Sequence, residues 1–163
     1  SEEVAPDFQH YPPEAIPTLR LGDIEADLIA GEALGKASPV SVYSPLFYIA
    51  AELAPGQGFD WARIYPEEAI YVIEGSVSID GEVVPTHTMA VLPEGEGISV
   101  ASADGARIAL LGGEPLGERH LVWNFVSSSR QRISEALALW DSGGFDRVDG
   151  DEEFIPLPDH LKP

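Results

Sequence analysis

The chain has 163 residues, 44% hydrophobic and 23% charged, a composition typical of one globular domain with its own core. Its 9 basic and 28 acidic residues give a net charge of −19, so we expect neither direct nucleic-acid binding nor association with anionic membranes. The chain contains no cysteine, which excludes disulfides and thiolate sites and fits a cytoplasmic protein. Neither a signal peptide nor an apolar run of membrane-spanning length is predicted.

Residues 1–22 predict an extended, proline-rich N-terminal arm. The arm contains four spaced apolar side chains that are candidate contacts with a neighbouring surface: Phe8, Tyr11, Ile16 and Leu19. An arm with so little core of its own usually lies on another surface. Together with the expected bare apolar faces of the domain, it predicts a homodimer, or association with a second domain.

Residues 23–126 predict the core of the domain. Short apolar runs alternate with turn signals about every ten residues, which is typical of a β-sandwich or barrel. Asp80-Gly81 is a strong hairpin signal, because a tight primed turn requires positive φ. The predicted strands are 23–30, two within 40–53 separated by Ser44-Pro45, 69–79, 83–92 with His87 inside it, 98–101 and 107–111.

Residues 127–163 predict one short helix and an extended tail of the same domain. Ser127-Ser128-Ser129 supplies an N-cap. Ile133, Leu137 and Trp140 then recur at four- and three-residue spacing on one face. Gly143-Gly144 ends the helix. The expected fold is therefore all-β, with one C-terminal helix.

Glu68 and Gly75, separated by six residues, carry a family resemblance. This spacing resembles the first motif of the cupin barrel, a jelly roll, in which a His-x-His pair precedes the glutamate by three or four residues. The two histidine positions fall on Ala62 and Ile64, or one residue earlier. The resemblance implies a cupin-type β-sandwich barrel in which only the glutamate of the first motif's metal ligands remains.

The second cupin motif is similarly incomplete. Pro93-Glu94-Gly95 matches its Pro-x-Gly, but Ile98 stands at the histidine position and Ser102 at the asparagine position. A mononuclear iron site requires at least two histidines with a carboxylate. We therefore predict no metal and no cofactor. The dispersed histidines His10, His87, His120 and His160 lack the i, i+2 spacing that would place two on one strand face.

Longer segments of the chain resemble the C-terminal half of pirin-family proteins. The most specific segment is GGEPLGE, followed after a short interval by WNFVSSS. The resemblance covers about residues 8–158. In that family two cupin barrels lie in tandem, the N-terminal one holding an iron-type metal, and quercetin dioxygenase-like activity is reported for some members. The resemblance implies that this chain is the second, metal-free barrel of a bacterial pirin-like protein.

Three functions follow as hypotheses. The first is a non-catalytic structural and interaction module, which the missing ligands favour. The second is a small-molecule site for a flat aromatic or flavonoid-like, hydrophobic ligand, and the third is a dioxygenase-like enzyme. A ligand pocket is predicted at the barrel mouth, formed by Trp61, Ile64, Glu68, Tyr71, Met89 and Ile98. No nucleophile motif occurs, so no catalytic residue is predicted.

Overall fold

The structure is a computed structural model that describes residues 4–5, 7–93, 95, 97–146, 149–150 and 152–162. Its described residues fall into two compact units, one reaching Pro115 and one beginning at Leu116. This boundary comes before residue 126, where the sequence predicted the barrel core to end. Residues of the predicted second cupin motif at positions 94 and 96 lie outside the described residues.

The first unit is built almost entirely from β-strands. Its strands are β1 (Thr18–Leu21), β2 (Ile24–Ala33), β3 (Lys36–Ala37), β4 (Leu46–Leu53), β5 (Gly58–Ala62), β6 (Glu67–Ile79), β7 (Glu82–Pro85), β8 (Met89–Val91), β9 (Gly97–Ala101) and β10 (Ala106–Gly113). A 3₁₀ turn, Pro13–Ala15, precedes them. The sheet order is β1-β2-β4-β10-β6-β9-β5, with β3 paired to β2 and both β7 and β8 paired to β6. Because β1 and β5 contact each other, the sheet is nearly closed into a barrel.

The long strand β6 connects the two halves of this barrel. Before Gly75 it pairs with β10 and β8, and after Gly75 with β7 and β9. Gly75 has φ +73°, and a Cβ there would lie 2.2 Å from the carbonyl oxygen of Gly105. Glycine is required at this bend, because any other residue would be strained and would clash. The strand continues beyond the glycine to Ile79, where the sequence predicted its end.

The core of the first unit lies inside the barrel. Strict alternation in β4 and β5 directs Phe47, Ile49 and Trp61 inward. Ile70 and Val72 of β6 and Leu110 of β10 also point inward, and all six side chains are almost fully buried. The predicted cupin-type all-β fold is confirmed, and the candidate site lies at the connection between β5 and β6.

Several local predictions for the first unit were wrong. Residues 18–21 belong to the sheet, and Leu19 lies in the core rather than on an extended arm. Residues 40–45 form a loop, because Pro39 just before the segment and Pro45 at its end cannot donate to a strand ladder. The predicted strand 83–92 is broken between β7 and β8, where His87 adopts φ +58° in a turn rather than lying on a strand. The hairpin at Asp80-Gly81 is confirmed, since both residues have positive φ.

The second unit contains a small hairpin and a helix. Its elements are β11 (His120–Val122), β12 (Phe125–Ser127), α1 (Arg130–Asp141) and a 3₁₀ turn, Asp159–Leu161. Ser129 caps α1 by accepting from the backbone N–H of Arg132, which confirms the predicted N-cap. Trp140 meets two aromatic rings of the hairpin edge-on and stacks on Phe154 of the tail, and its indole donates to the carbonyl of Ile155 (2.9 Å). Among the described residues, no helix is long and apolar enough to cross a membrane.

Candidate functional site

The carboxylate of Glu68 is buried at the end of the barrel, with 3% of the residue exposed. Its Oε2 accepts a hydrogen bond from the indole N–H of Trp61 (2.8 Å). Its Oε1 accepts from the backbone N–H groups of Ile64 (2.7 Å) and Tyr65 (2.9 Å). Both carboxylate oxygens therefore already accept hydrogen bonds. The two backbone bonds hold the β5–β6 connection against the start of β6.

Local packing fixes this arrangement. Trp61 points inward from β5 and meets the ring of Phe47 edge-on, at a centroid distance of 5.3 Å. Gly112 on β10 lies against Phe47 and Glu68. A Cβ at this position would lie 2.4 Å from the Phe47 ring and 2.9 Å from Cγ of Glu68. The site therefore depends on a glycine, which leaves room for the phenyl ring and the glutamate side chain to approach.

Arg63 holds the segment beside this carboxylate. Its guanidinium donates to the backbone carbonyls of Leu92 (3.2 Å) and Tyr65 (3.3 Å), and also to those of Pro93 and Pro66. These bonds tie the β5–β6 connection to the loop that follows β8. An arginine at this motif position thus performs a structural task in place of a ligand.

The residues at the cupin metal positions do not fit a metal ion. Ile98 stands at the second-motif histidine position and pairs across the β5–β9 ladder with Trp61, and both are buried in the core. Ser102 is also buried and donates its hydroxyl to the carbonyl of Ser76. Within the part of the chain that the structure describes, no group of three or more His, Cys, Asp or Glu side chains could hold a metal.

The predicted ligand pocket is not assembled as expected. Trp61 and Ile98 fill the core, whereas Tyr71 and Met89 lie opposite each other in the β6–β8 ladder. Met89 is exposed, and Ile64 lines a separate small cavity beside β3. These positions were predicted from motif spacing, which does not reveal on which side of the barrel wall a residue lies. Of the six, only Glu68 borders the main cavity.

That cavity is an open groove of about 760 Å³ beside β4, β10 and β6. Its walls are almost entirely apolar, and the residues that define them include Val42, Tyr48, Ala69, Val91, Leu111 and Gly113. Glu68 and Gly112 form part of its lining, so the groove adjoins the buried carboxylate. The sequence does contain a signal for it, because β4, β6 and β10 are apolar at successive positions and not only at alternate ones, which is typical of strands covered on both faces.

The groove belongs to a larger surface, which we call the outer apolar face. Side chains alternate between the two faces of a strand. The residues adjacent in sequence to the inward-pointing Phe47, Ile49, Ile70 and Leu110 therefore point out of the barrel. The strand registers align these outward side chains in two rows across β4, β10, β6 and β8. One row is Tyr48, Leu111, Ala69 and Val91, and the other is Ala50, Ala109, Tyr71 and Met89.

The histidines do not form a site. His87 donates its backbone N–H to the carbonyl of Val72 (2.7 Å). His120 lies on β11, with Nδ1 3.8 Å from a carboxylate oxygen of Glu118. The hydrogen bond from Trp61 to Glu68 was not predicted, because a tryptophan in a strand ordinarily indicates core packing alone.

The barrel is antiparallel and nearly closed, and it carries the spaced Glu68 and Gly75 of the first motif. These features together define a cupin-type domain. The family of the pirin C-terminal cupin domain matches residues 48–146. A pirin-like protein of Caulobacter vibrioides is 45% identical over 160 residues, covering 97% of this chain. Mouse pirin is 33% identical over 145 residues, covering 82% of it. The chain belongs to the pirin family, as the sequence resemblance predicted.

Solved structures agree with this assignment. One structure of quercetin 2,3-dioxygenase from Acinetobacter baumannii superimposes with a TM-score of 0.81 and 26% identity, over 93% of this chain and 52% of that one. The alignments cover 56% of the Caulobacter protein and 49% of mouse pirin. The chain thus spans about half the length of the relatives it matches.

Proposed function

We propose that this chain is a non-catalytic cupin module that acts by association, without metal chemistry of its own. The observation that carries the proposal is the engagement of Glu68. This carboxylate holds the indole of Trp61 and two backbone N–H groups, so ligating a metal would require breaking bonds buried in the core. A cytoplasmic location, which the absence of cysteine favours, is part of the proposal.

Chemical requirements support the same conclusion. Non-haem iron oxygenases use two histidines and a carboxylate that face one side of the metal and leave open positions for substrate and oxygen. The motif positions here carry Trp61, Ile98 and Ser102, none of which offers an imidazole. These buried side chains stabilise the barrel and do not bind a metal. The acidic surface and the outer apolar face are then the parts of the domain available for function.

Metal analysis combined with an activity assay tests this proposal. We expect purified protein to contain no stoichiometric iron, nickel, copper or zinc. Adding each metal should leave the melting temperature unchanged, and quercetin should not be consumed under oxygen. The Acinetobacter baumannii quercetin 2,3-dioxygenase is the positive control for the assay. Near-stoichiometric metal together with quercetin turnover that a chelator abolishes would overturn the proposal in favour of a dioxygenase-like enzyme.

A second candidate is a site for a flat hydrophobic ligand. The observation in its favour is the groove, whose volume of about 760 Å³ lies in the range of small-molecule pockets. A thermal-shift screen with flavonoids and aromatic acids tests it. A ligand that binds only the native state adds about 2.7 kcal/mol at a hundredfold excess over its dissociation constant. Val91→Glu, at the groove wall, should abolish such a shift, and no shift with any compound would reject this candidate.

A further inference from the structure

We propose that the second unit carries a recognition site for proline-rich segments. The tail of the chain occupies this site in cis, and a proline-rich segment of a partner protein displaces it. The site consists of four aromatic side chains that contact one another, which we call the aromatic platform: Trp123, Phe125, Trp140 and Phe145. This inference rests on the proposed function, because it names the kind of partner through which a non-catalytic module associates.

The aromatic platform holds together without the tail. Trp123 meets Trp140 edge-on at a centroid distance of 5.2 Å, and Phe125 stacks on Phe145 at 6.0 Å with 14° between the ring planes. Trp123 adopts φ +56° in the turn between β11 and β12, a backbone conformation that costs free energy for a bulky residue. Such strain persists only where surrounding contacts compensate for it. The four rings therefore form a surface that exists before any segment docks on it.

The tail has the backbone of a proline-rich peptide. Residues 152–158 form neither helix nor strand. Pro156 and Pro158 fix their own φ, and each disfavours the helical conformation at the residue before it. Pro158 has φ −54° and ψ 139°, which lies close to polyproline II. A segment in this conformation makes no hydrogen bonds within itself, so its carbonyl groups are open to donors from a binding surface.

The contacts between the tail and Trp140 use the chemistry of polyproline recognition. Phe154 stacks on the indole ring at 5.6 Å, and the indole N–H donates to the carbonyl of Ile155 (2.9 Å). Aromatic-lined grooves bind proline-rich segments in this way. The ring of Phe154 remains 57% exposed, whereas Leu157 is 3% exposed. Phe154 therefore lies on a surface and is not enclosed in a core.

A separate segment can make the same contacts. Trp140 and Ile155 are 15 positions apart in the chain, and their bond joins a side chain to a backbone carbonyl. The tail's advantage is its tether, which gives it an effective concentration on the order of millimolar. The partner must therefore bind more tightly than the tail does. The pattern it needs is that of residues 154–158, an aromatic residue followed by prolines two and four positions later.

Charge gives a partner the advantage that displacement requires. The docked part of the tail is flanked by acidic residues, Glu152, Glu153 and Asp159, in a chain of net charge −19. A segment with the same central pattern but basic flanks is attracted by this charge, whereas the tail is repelled. The favoured partner is therefore a proline-rich segment with basic residues on both sides.

NMR of the ¹⁵N-labelled full chain tests the inference. Its three tryptophans give three indole N–H signals, two from the aromatic platform and one from Trp61 in the barrel. The peptide KKFIPLPKHLK is the sequence of residues 152–162 with the acidic residues replaced by lysine. It should shift the Trp123 and Trp140 signals in a saturable manner and leave the Trp61 signal unchanged.

A matched pair of full-length variants tests displacement of the tail. Phe154→Ala removes the ring that stacks on Trp140, so the tail competes less and the lysine peptide should bind about tenfold more tightly than to wild type. Ile155→Ala is the control, because this side chain is 68% exposed and its carbonyl is retained. It should leave the dissociation constant unchanged.

Three further peptides test the recognition chemistry. A lysine peptide with Phe154→Ala, and another with Pro156→Ala and Pro158→Ala, should each bind at least about fivefold more weakly. The unaltered sequence EEFIPLPDHLK should also bind more weakly than the lysine peptide at about 0.05 M salt. That difference should shrink at about 0.5 M, where salt screens the charges.

The absence of a saturable shift at about 1 mM lysine peptide, the order of the tail's effective concentration, would overturn the inference. The wild-type titration decides this if Phe154→Ala loses its dispersed indole signals. Equal binding of the peptide without prolines would overturn polyproline recognition. A wild-type dimer that the peptide dissociates would identify the second copy's tail as the occupant and overturn the assignment to a partner protein.

These outcomes are separate from those of the metal and quercetin assays. A metal-free, inactive protein that binds no peptide would overturn only this inference. A metal-dependent active protein that binds the peptide would overturn only the proposed non-catalytic function.

Discussion

Replacing Glu68 with glutamine removes one charge and changes one acceptor atom to a donor, while the shape of the side chain is kept. The carboxylate now accepts from Trp61 on one oxygen and from Ile64 and Tyr65 on the other. If the amide oxygen of glutamine faces the two backbone N–H groups, its NH₂ faces the indole N–H, and two donors meet. The opposite orientation leaves two backbone donors without an acceptor. Either way, at least one buried donor loses its partner.

The magnitude follows from these contacts. An unsatisfied buried donor costs about 1–3 kcal/mol, and each retained bond loses roughly 1 kcal/mol when its acceptor is no longer charged. The lower desolvation cost of a neutral amide offsets part of this sum. We expect Glu68→Gln to lower the free energy of unfolding by about 2–4 kcal/mol. For a chain of this size, about 3 kcal/mol corresponds to a fall in melting temperature of about 6–12 °C.

Urea denaturation followed by circular dichroism measures this change, with the midpoint falling and the slope unchanged. Glu67→Gln is the matched control, since Glu67 is the exposed neighbour on the same strand and should change stability by less than about 0.5 kcal/mol. A Trp61→Phe variant completes a double-mutant cycle, in which the combined loss should be smaller than the sum of the single losses. Equal stability of the two glutamine variants would refute the reasoning that Glu68 is held by buried bonds.

Three further predictions concern other positions. Gly112→Ala should destabilise the protein by about 1–3 kcal/mol, because its Cβ meets a phenyl ring. Gly95→Ala, whose Cβ would meet no described atom within 4 Å beyond its chain neighbours, should be neutral in the same urea titration. Gly75→Ala should cost at least about 2 kcal/mol, since positive φ and a clashing carbonyl act together, and wild-type stability would exclude a required bend. A hydrogen bond from Gln131, followed by Arg132, lowers the pKa of Glu135, so its contribution to stability is lost as pH falls through the folded value. Gln131→Ala should raise the carboxyl titration midpoint in NMR, and an unchanged midpoint would count against that bond.

The sequence predicted the fold well, because its signals are local. Asp80-Gly81 and Ser129 mark a turn and a helix start through backbone chemistry that requires few residue types. The long strand through Gly75 was also predicted, at residues 69–79, and the structure has it from Glu67 to Ile79. β5 and the hairpin of β11 and β12 were missed, because they are short and their pairing depends on distant strands.

The candidate site was predicted less well, for a physical reason. Motif spacing located Glu68, but the partners of a buried carboxylate are set by three-dimensional contacts. Trp61 was assigned to a pocket, whereas its ring lies in the core and its N–H holds the carboxylate. The outer apolar face was not predicted as such. Apolar residues at successive positions indicate two covered faces, but they do not say what covers the second one.

The bond between Trp61 and Glu68 restricts how this domain could change over time. Trp61→His would introduce one imidazole, yet it would also empty the volume of a buried indole and free one carboxylate oxygen. Ile98→His alone would bury a polar ring against the same tryptophan. Each single step toward a metal centre thus loses stability before any metal can compensate. A metal centre at this position would therefore require several simultaneous substitutions, because each one alone lowers the stability of the barrel.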